Sequence, residues 1–592
     1  MLAGTLKSVS SYARLAVALI ATLGLSHFAP EIFSLFAHSS EAELLTTFFS
    51  IALIFVLSFG IFYVAQGTPL PNFVIAIFFG LAAKPLLLPV VESHGAMGAL
   101  VGFGATLILF GGGLETPLKN FLRLFGKIFA LSFVGLALTA LLFSLSLNVL
   151  GNLGAVGVSV TAAILLGALL ASTDPAAIIP VLKHLRFKNP TTKDLVISES
   201  AVTDVTGTIL TLAFLTLAAA GALNGTVAQG YAKIFSLDTA TALLHQLAFG
   251  VLFGLLGFGL LHVLTRFKEQ HDREYEADSA FFLFIPLIIF TLAIAFGGSG
   301  YLAAFLAGLL FKLTEGLKET ERFFNHTIDG FFKPTIFLML GALVEPSSLI
   351  TYAPLGLAAA AIFMFVIRPL AVFVSLAPFM VLGHDKVNWR DMLFVSFVRE
   401  TGAIPAVLLV TVAALNLEGL DGLVPVGMIV ILATLIIEPP LTPLIARWLK
   451  VATPIPLARH AVASGKDSTV VLGTRGDTWQ QRLPFVAEWA YTHHVPHIVL
   501  LVCLEYKHTP EAAKEVERAA KAFMEQLNAK NERKGLPAQD FSVMLSEGLL
   551  QEKIDHISRT EENVVAIFVG RKMLDFQLEE IKKLSVPLFF MP

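Results

Sequence analysis

Ile197-Ser198-Glu199-Ser200-Ala201-Val202-Thr203-Asp204-Val205-Thr206-Gly207 is the stretch whose reading decides the fold. It lies in an otherwise apolar run, 195–220, long enough to cross a bilayer. It places two carboxylates, Glu199 and Asp204, at membrane depth. A charge there costs roughly 2.5–3.5 kcal/mol on insertion scales, so such acids are rare and usually mark an ion or proton path. The plainer reading is a buried Glu–Arg pair that only staples helices together. At about 100° per residue, Ser200 and Asp204 share one helix face. Glu199 shares a face with Thr203, roughly 140° round from Asp204. One acid can therefore line a cavity while the other pairs with a neighbouring helix.

The composition agrees with a membrane setting. Of 592 residues, 56% are hydrophobic and 14% charged, and mean hydropathy is +0.77. A soluble domain carries about 25% charged residues, so the chain reads as a polytopic membrane protein. The net charge of −3 favours no polyanionic partner, and no basic, aromatic-laced stretch points to nucleic acid. The single cysteine, Cys503, excludes an intrachain disulfide framework and a cysteine-based zinc site.

Apolar spans run over 12–28, 43–65, 72–91, 96–113, 127–149, 156–183, 194–219, 241–265, 279–297, 299–313, 331–349, 354–382, 391–414 and 422–447. We number them helix 1 to helix 13 from residue 43, with 12–28 as an extra. Lys7 and Arg14 precede that extra stretch as in a signal peptide, but no small-residue cleavage site follows. A retained helix is expected. The loops after helices 3, 5, 7, 9 and 11 carry sixteen lysines and arginines, Lys312 to Lys333 among them; the loops after the even-numbered helices carry Lys233 alone. The positive-inside rule makes the first set cytoplasmic, and with it the C-terminal tail. Lys84, inside helix 2 and beyond its midpoint, is expected to snorkel outward.

Two helices contain breaks. Helix 5 holds Ser172-Thr173-Asp174-Pro175, and helix 12 holds Arg399-Glu400-Thr401-Gly402-Ala403-Ile404-Pro405. Proline removes a backbone donor and clashes with the preceding turn. The freed backbone groups are tolerated at membrane depth only where they line a cavity or lie inside protein. Helices 1–6 and 8–13 form two sets of six, and the broken helix is fifth in each. Helix 7 between them puts the sets in opposite orientations. The expectation is an all-α polytopic fold of 13–14 transmembrane helices, built as inverted repeats whose two broken helices cross at the midplane.

These residues resemble the monovalent cation/proton antiporters, specifically the sodium/proton exchanger branch, over about 43–447. Thr173-Asp174-Pro175 is similar to that family's helix 5 motif, and Glu199-Ser200-Ala201-Val202-Thr203-Asp204 to its Glu-Ser-x-x-Asn-Asp motif. Leu109-Phe110-Gly111-Gly112-Gly113-Leu114-Glu115 resembles the end of its helix 3. Ile367-Arg368-Pro369-Leu370-Ala371-Val372 resembles its helix 11 arginine segment, and Thr401-Gly402-Ala403-Ile404-Pro405 its helix 12 break. The resemblance implies exchange of a monovalent cation (sodium, potassium or lithium) for a proton by alternating access. It implies Asp204 as the shared cation and proton site, completed by Asp174, Thr173 and Ser200, and an ion pair of Glu199 with Arg368. It also implies a homodimer in the inner (plasma) membrane.

Two departures matter. Thr203 stands where the family has Asn, or Asp in its electrogenic members, so electroneutral exchange is expected. Thr401 stands where the family has arginine before Gly-Ala, and Arg399 lies two residues earlier beside Glu400. Glu400 then either neutralises Arg399 or adds an acid to the ion path. The altered helix 12 leaves one competing reading, a transport-degenerate sensor or scaffold signalling through its tail. An enzyme acting through the tail ranks last, because no nucleophile–base constellation or metal set is present.

From about residue 453 charge density rises and apolar runs shrink to strand length. The expected division is a transmembrane part over 1–450, a linker over 451–467 and an α/β domain over 468–592. Strands are expected at 468–472, 497–503, 541–545, 563–569 and 587–591, with helices at 479–493, 511–530, 549–558 and 574–583. This alternation resembles the universal stress protein fold, which implies an adenine nucleotide as a conceivable ligand. Only Gly570 of Gly570-Arg571-Lys572 supplies the glycine-rich phosphate loop that fold uses, and Gly473-Thr474-Arg475-Gly476-Asp477 is neither a P-loop nor a dinucleotide fingerprint. His493, His494 and His497 read as solvated loop residues in preference to a metal site.

Overall fold

The computed structural model describes residues 2–591 except 37–40, 66–67, 69, 155, 174–177, 184, 272–277, 312–323, 382–385, 399, 416, 455–467, 475–478, 494, 505–509, 533–539, 548–552, 555–556, 558–563 and 571–587. The chain separates into two compact units. One comprises Met1–Lys183 and Phe187–Ala452, the other His184–Arg186 and Thr453–Pro592.

In the first unit each apolar stretch carries helix among the described residues. An N-terminal helix, Leu2–His27, precedes helix 1 (Ala42–Ala65), helix 2 (Asn72–Val91), helix 3 (His94–Glu115) and helix 4 (Leu118–Leu153). Helix 5 is split into Val160–Leu170 and Ile179–Lys183, and helix 6 is Pro190–Ala219. Helices 7, 8 and 9 are Leu237–His271, Asp278–Ala295 and Gly300–Leu310. Helix 10 runs from residue 324 to Leu343, and helix 11 is Pro346–Leu376. Helix 12 is split into Trp389–Phe397 and Ala403–Ala414, and helix 13 is Leu423–Trp448. Among the described residues, eight helices are long and apolar enough to cross a bilayer, and the chain is an integral membrane protein.

The inverted repeat is visible in the packing. Helix 2 meets helix 10 so closely that a Cβ on Gly80 would lie 2.0 Å from the Leu338 carbonyl oxygen. A Cβ on Gly341 would lie 2.1 Å from that of Ile77. Helix 3 meets helix 9 in the same way: Cβ atoms on Gly113 and Gly308 would each lie 2.3 Å from a carbonyl oxygen, of Phe305 and Phe110 respectively. Second-with-third and third-with-second are the pairings that an exchange of the two sets of six predicts. Lipid offers no hydrophobic drive between helices, so close backbone approach at small residues supplies van der Waals contact instead. The fourth helix of each set carries a π segment, Ala130–Gly135 in helix 4 and Phe363–Ile367 in helix 11. Such turns displace backbone carbonyls from the regular ladder and recur at functional sites.

Three expectations need correction. Helix 10 is already helical at residue 324, ahead of the expected 331, and passes through a π segment, Ile328–Phe332, so Lys333, at the edge of the expected span, lies well inside the helix and is only 12% exposed at its side chain. Helix 4 begins at Leu118, which puts Lys119, Arg123 and Lys127 on its first turns and not in a loop. Counting apolar runs misses amphipathic turns at the ends of spans. Lys84 does not simply reach water: its amine bonds Glu345, at the start of helix 11, and the Val344 carbonyl.

The second unit carries a five-stranded parallel sheet. With β1 at Leu185–Phe187 and β2 at Ala452–Pro454 forming a separate two-stranded sheet, its strands are β3 (Thr469–Thr474), β4 (His497–Leu504), β5 (Asp540–Glu547), β6 (Val564–Gly570) and β7 (Leu588–Met591). Their order is β5-β4-β3-β6-β7. Successive side chains alternate between faces. Val470, Leu472, Leu500 and Phe568 pack on Trp479–Thr492 and Pro510–Glu532, while Val471, Leu501, Ile567 and Val569 meet Ile554 and Ile557 on the other face. The expected helix at 574–583 and most of that at 549–558 lie outside the described residues.

Candidate functional site

The site forms where helix 6 passes the break in helix 5. Helix 5 ends at Leu170, and the chain continues without helical bonding through Ser172 and Thr173. Close passage depends on Gly207: a Cβ there would lie 2.8 Å from Cβ of Ser172. Asp204, 7% exposed, is reached by the Ser172 hydroxyl, which donates to Oδ1 at 2.6 Å. Ser200 donates to the Thr173 carbonyl at 2.6 Å. Thr203 donates to that carbonyl at 3.4 Å and to the Ser200 carbonyl at 2.8 Å. Thr173 Oγ1 is buried, with no hydrogen-bond partner among the described residues.

The structure therefore brings together Asp204, Thr173, Ser200 and Thr203, and adds Ser172. Each hydroxyl that donates its proton keeps lone pairs for a cation. Oxygen donors of this kind suit a hard ion. Asp174 lies outside the described residues. Glu199 and Arg368 are both buried, at 0% and 3% exposed, near the two π segments. The Ser132 carbonyl of the first π segment accepts from Thr206 at 3.0 Å, and Arg368 follows the second directly and lies over the Phe363 ring.

The helix 12 break meets the helix 5 break. Glu400, fully buried, accepts from the Ile178 backbone N–H at 3.2 Å through Oε1. That N–H precedes the second half of helix 5, where the interrupted ladder leaves donors without intrahelical partners. Sequence reasoning cast Glu400 as Arg399's counter-charge or an ion-path acid; the structure gives it this third task, and Arg399 lies outside the described residues. Thr401 is held by Thr434 of helix 13, with hydroxyl oxygens 2.6 Å apart and the Thr401 N–H donating at 3.2 Å. Thr434 and the buried Glu438 went unnoticed in the sequence. Their signal was there: two polar residues four apart share one face of an otherwise apolar helix.

Asp204 opens on a chamber of about 60 Å³ whose other walls include Gly111, Gly112 and Glu115 of helix 3 and Asn325, Asp329 and Lys333 of helix 10. That volume admits a few waters. In the second unit, His493 stacks on Trp489 and His497 Nδ1 lies 3.3 Å from Asp540, while His494 lies outside the described residues. Among the described residues no group of three or more His, Cys, Asp and Glu side chains is placed to hold a metal ion.

The chain is similar to known proteins. The profile of the transmembrane sodium/hydrogen exchanger matches residues 51–448. The K(+)/H(+) antiporter NhaP2 of Shewanella oneidensis is 28% identical over 368 residues, 61% of this chain and 59% of that protein. The K(+)/H(+) antiporter NhaP of Alkalimonas amylolytica is 26% identical over 433 residues, 72% of this chain and 69% of that protein. The structure of the sodium proton antiporter MjNhaP1 from Methanocaldococcus jannaschii at pH 8 superposes with a TM-score of 0.54 at 22% identity, covering 69% of this chain and 99% of that one. With a breached helix in each inverted set and a buried aspartate beside the first, the chain belongs to the sodium/hydrogen exchanger family.

Proposed function

We propose that the protein exchanges a monovalent cation, sodium or potassium, for a proton across the membrane by alternating access. The observation that carries this reading is Asp204: a buried carboxylate, held by Ser172 at a helix break, lining a chamber that admits a few waters. A proton and a monovalent cation each cancel its single charge. Either occupant lets the site cross the low-dielectric interior more cheaply than a bare carboxylate does. Asp204 gives up its proton to bind cation and gives up cation to bind a proton. Relatives named for potassium/proton and sodium/proton antiport support the reaction class.

Four further features belong to the same proposal. Exchange is electroneutral, since Thr203 brings no second acid beside Asp204. The basic loops and the C-terminal unit face the cytoplasm, and two copies associate. The C-terminal unit is a regulatory domain like the universal stress proteins. Its strand order supports an adenine nucleotide as the first ligand to try, because connections leave β3 and β6 in opposite directions and the crevice at their carboxyl ends, beyond Thr474 and Gly570, is where such sheets bind ligands. The test of the exchange is cation-dependent dequenching of a pH dye in proteoliposomes, run with sodium, potassium and lithium. Purified protein that dissipates no proton gradient with any of the three overturns the reading.

A further inference from the structure

Lys333 reads in the sequence as one of the loop cations, yet it lines the same chamber as Asp204. Its ammonium lies 2.8 Å from Oδ1 of Asp329, one helical turn earlier. A pair at that spacing is usually a solvated feature of a helix surface. Here the lysine side chain is 12% exposed while the aspartate is 58% exposed, so the cation is the inner member and the carboxylate the outer one. Asp329 sits on the π segment of helix 10. It also borders a second, much wider cavity of about 1070 Å³, lined by Phe62, Tyr63, His326 and the prolines of helix 13. Among the described residues, Asp329 is the side chain common to both cavities. Glu115 of helix 3 also lines the smaller chamber.

We propose that Lys333 is a tethered cation that sets how strongly the transported cation is drawn toward Asp204. This rests on the exchange reading and names a residue that tunes affinity at the same site. The ammonium group is a monovalent cation that cannot leave. It occupies Asp329, the carboxylate at the junction of the two cavities, and offsets part of the negative field of Asp329 and Glu115 along the approach. An incoming ion competes with it for those oxygens. Charges lining a low-dielectric cleft set the local concentration of counter-ions, and that effect is screened by salt.

The experiment measures exchange against sodium and potassium concentration in proteoliposomes for wild type, Lys333→Gln, Lys333→Arg, Asp329→Asn and the double variant Asp329→Asn/Lys333→Gln. Removing the tethered charge lowers the cation KM roughly threefold to tenfold at low ionic strength, with a smaller effect on kcat. The difference shrinks when choline chloride raises the ionic strength. Asp329→Asn raises KM, the double variant returns toward wild type, and Lys333→Arg keeps the wild-type KM. A Lys333→Gln protein that elutes as a single species with KM unchanged or raised overturns the proposal. So does a Lys333→Arg that behaves like Lys333→Gln. If Lys333→Gln cannot be purified, Asp329→Asn decides alone: an unmoved KM overturns the proposal and a raised one supports it. Wild type and Asp204→Asn run in the same vesicles. A wild type without exchange removes the exchange reading and this inference together, whereas an exchanging wild type with an unmoved KM in Lys333→Gln removes this inference only.

Discussion

The hydroxyl of Ser172 donates to Oδ1 of Asp204 at 2.6 Å, from the break of helix 5 to the wall of helix 6. This bond makes the carboxylate answer to the geometry of the break. Asp204→Asn leaves the shape nearly intact and removes the charge that the proposed exchange requires. Exchange should vanish while the protein still elutes as a folded membrane protein. Ser172→Ala removes a hydrogen bond to a charged group, worth about 1.5–3 kcal/mol. That predicts a loss of roughly tenfold to a hundredfold in kcat/KM for cation. Wild-type kinetics in a folded Asp204→Asn protein would overturn the assignment of the site.

Gly207 offers a test that leaves every charge in place. An alanine methyl there lies 2.8 Å from the Ser172 side chain, closer than real Cβ atoms come, and 3.6 Å from Leu136. The break must shift away from helix 6, at about 1–3 kcal/mol for overpacking. Gly207→Ala should lower the melting temperature in detergent and impair exchange as Ser172→Ala does. An alanine variant with unchanged exchange shows that the approach of the two helices does not hold the site.

Much of this was legible in the sequence, for reasons that differ by residue. The spans were readable because a bilayer enforces about twenty apolar residues. The breaks were readable because Pro175, Pro405 and Gly402 disrupt helices on their own. Asp204 stood out because a carboxylate in an apolar run is costly. Ser172 and Thr434 did not, because a hydroxyl satisfies its own helix cheaply and carries no signal until its partner is known. Lys333 reads as a loop cation although it falls inside the apolar span 331–349, because hydropathy gives no weight to the amphipathic turns that precede it. The task of Glu400 was hidden because its partner is a backbone N–H, 222 positions away in sequence, that any residue supplies.

Glu199 and Arg368 should behave as partners. Both are buried, and either charge alone in the membrane interior is expensive. Glu199→Gln and Arg368→Gln should each destabilise the solubilised protein by about 3–5 kcal/mol, the usual cost of removing one member of a buried pair. The double variant should lose less than the sum. Strictly additive losses in the thermal-melt cycle would end the pairing claim.

Charge balance is a separate question from site identity. Thr203 contributes a hydroxyl bound to two backbone carbonyls and no ionisable group. On the proposed mechanism one carboxylate exchanges one cation for one proton. Solid-supported membrane recordings should show no sustained current under conditions where a pH dye reports exchange. A steady current with a reversal potential set by more than one proton per cation refutes electroneutrality. Thr203→Asp would then be the variant to compare, since it adds the acid that the resemblance associates with electrogenic members.

The last prediction concerns how the C-terminal unit acts on transport. Helix 13 closes with the Val451 N–H bonded to the Ala446 carbonyl and Lys450 in the left-handed region at φ 57°, a reversal that usually employs glycine. The chain then enters β2, which pairs with β1, and the Lys188 N–H donates to the Val451 carbonyl at 3.0 Å. β1 follows the second half of helix 5 and precedes helix 6, so it joins the two helices that bring Ser172 and Asp204 together. A ligand or partner of the C-terminal unit alters exchange only if it favours one carrier state over the other, and the prediction is that β2, continuous with helix 13, carries such a preference. A chain ended after Pro454 keeps this sheet and should insert and exchange, with altered pH or cation dependence. A chain ended after Leu449 loses β2 and the bond to Lys188, and should be less stable and slower. Equal behaviour of the two truncations removes the role given to β2. A chain ended after Pro454 that folds yet exchanges at no pH makes the C-terminal unit part of the transporter itself, and the proposed regulatory role falls.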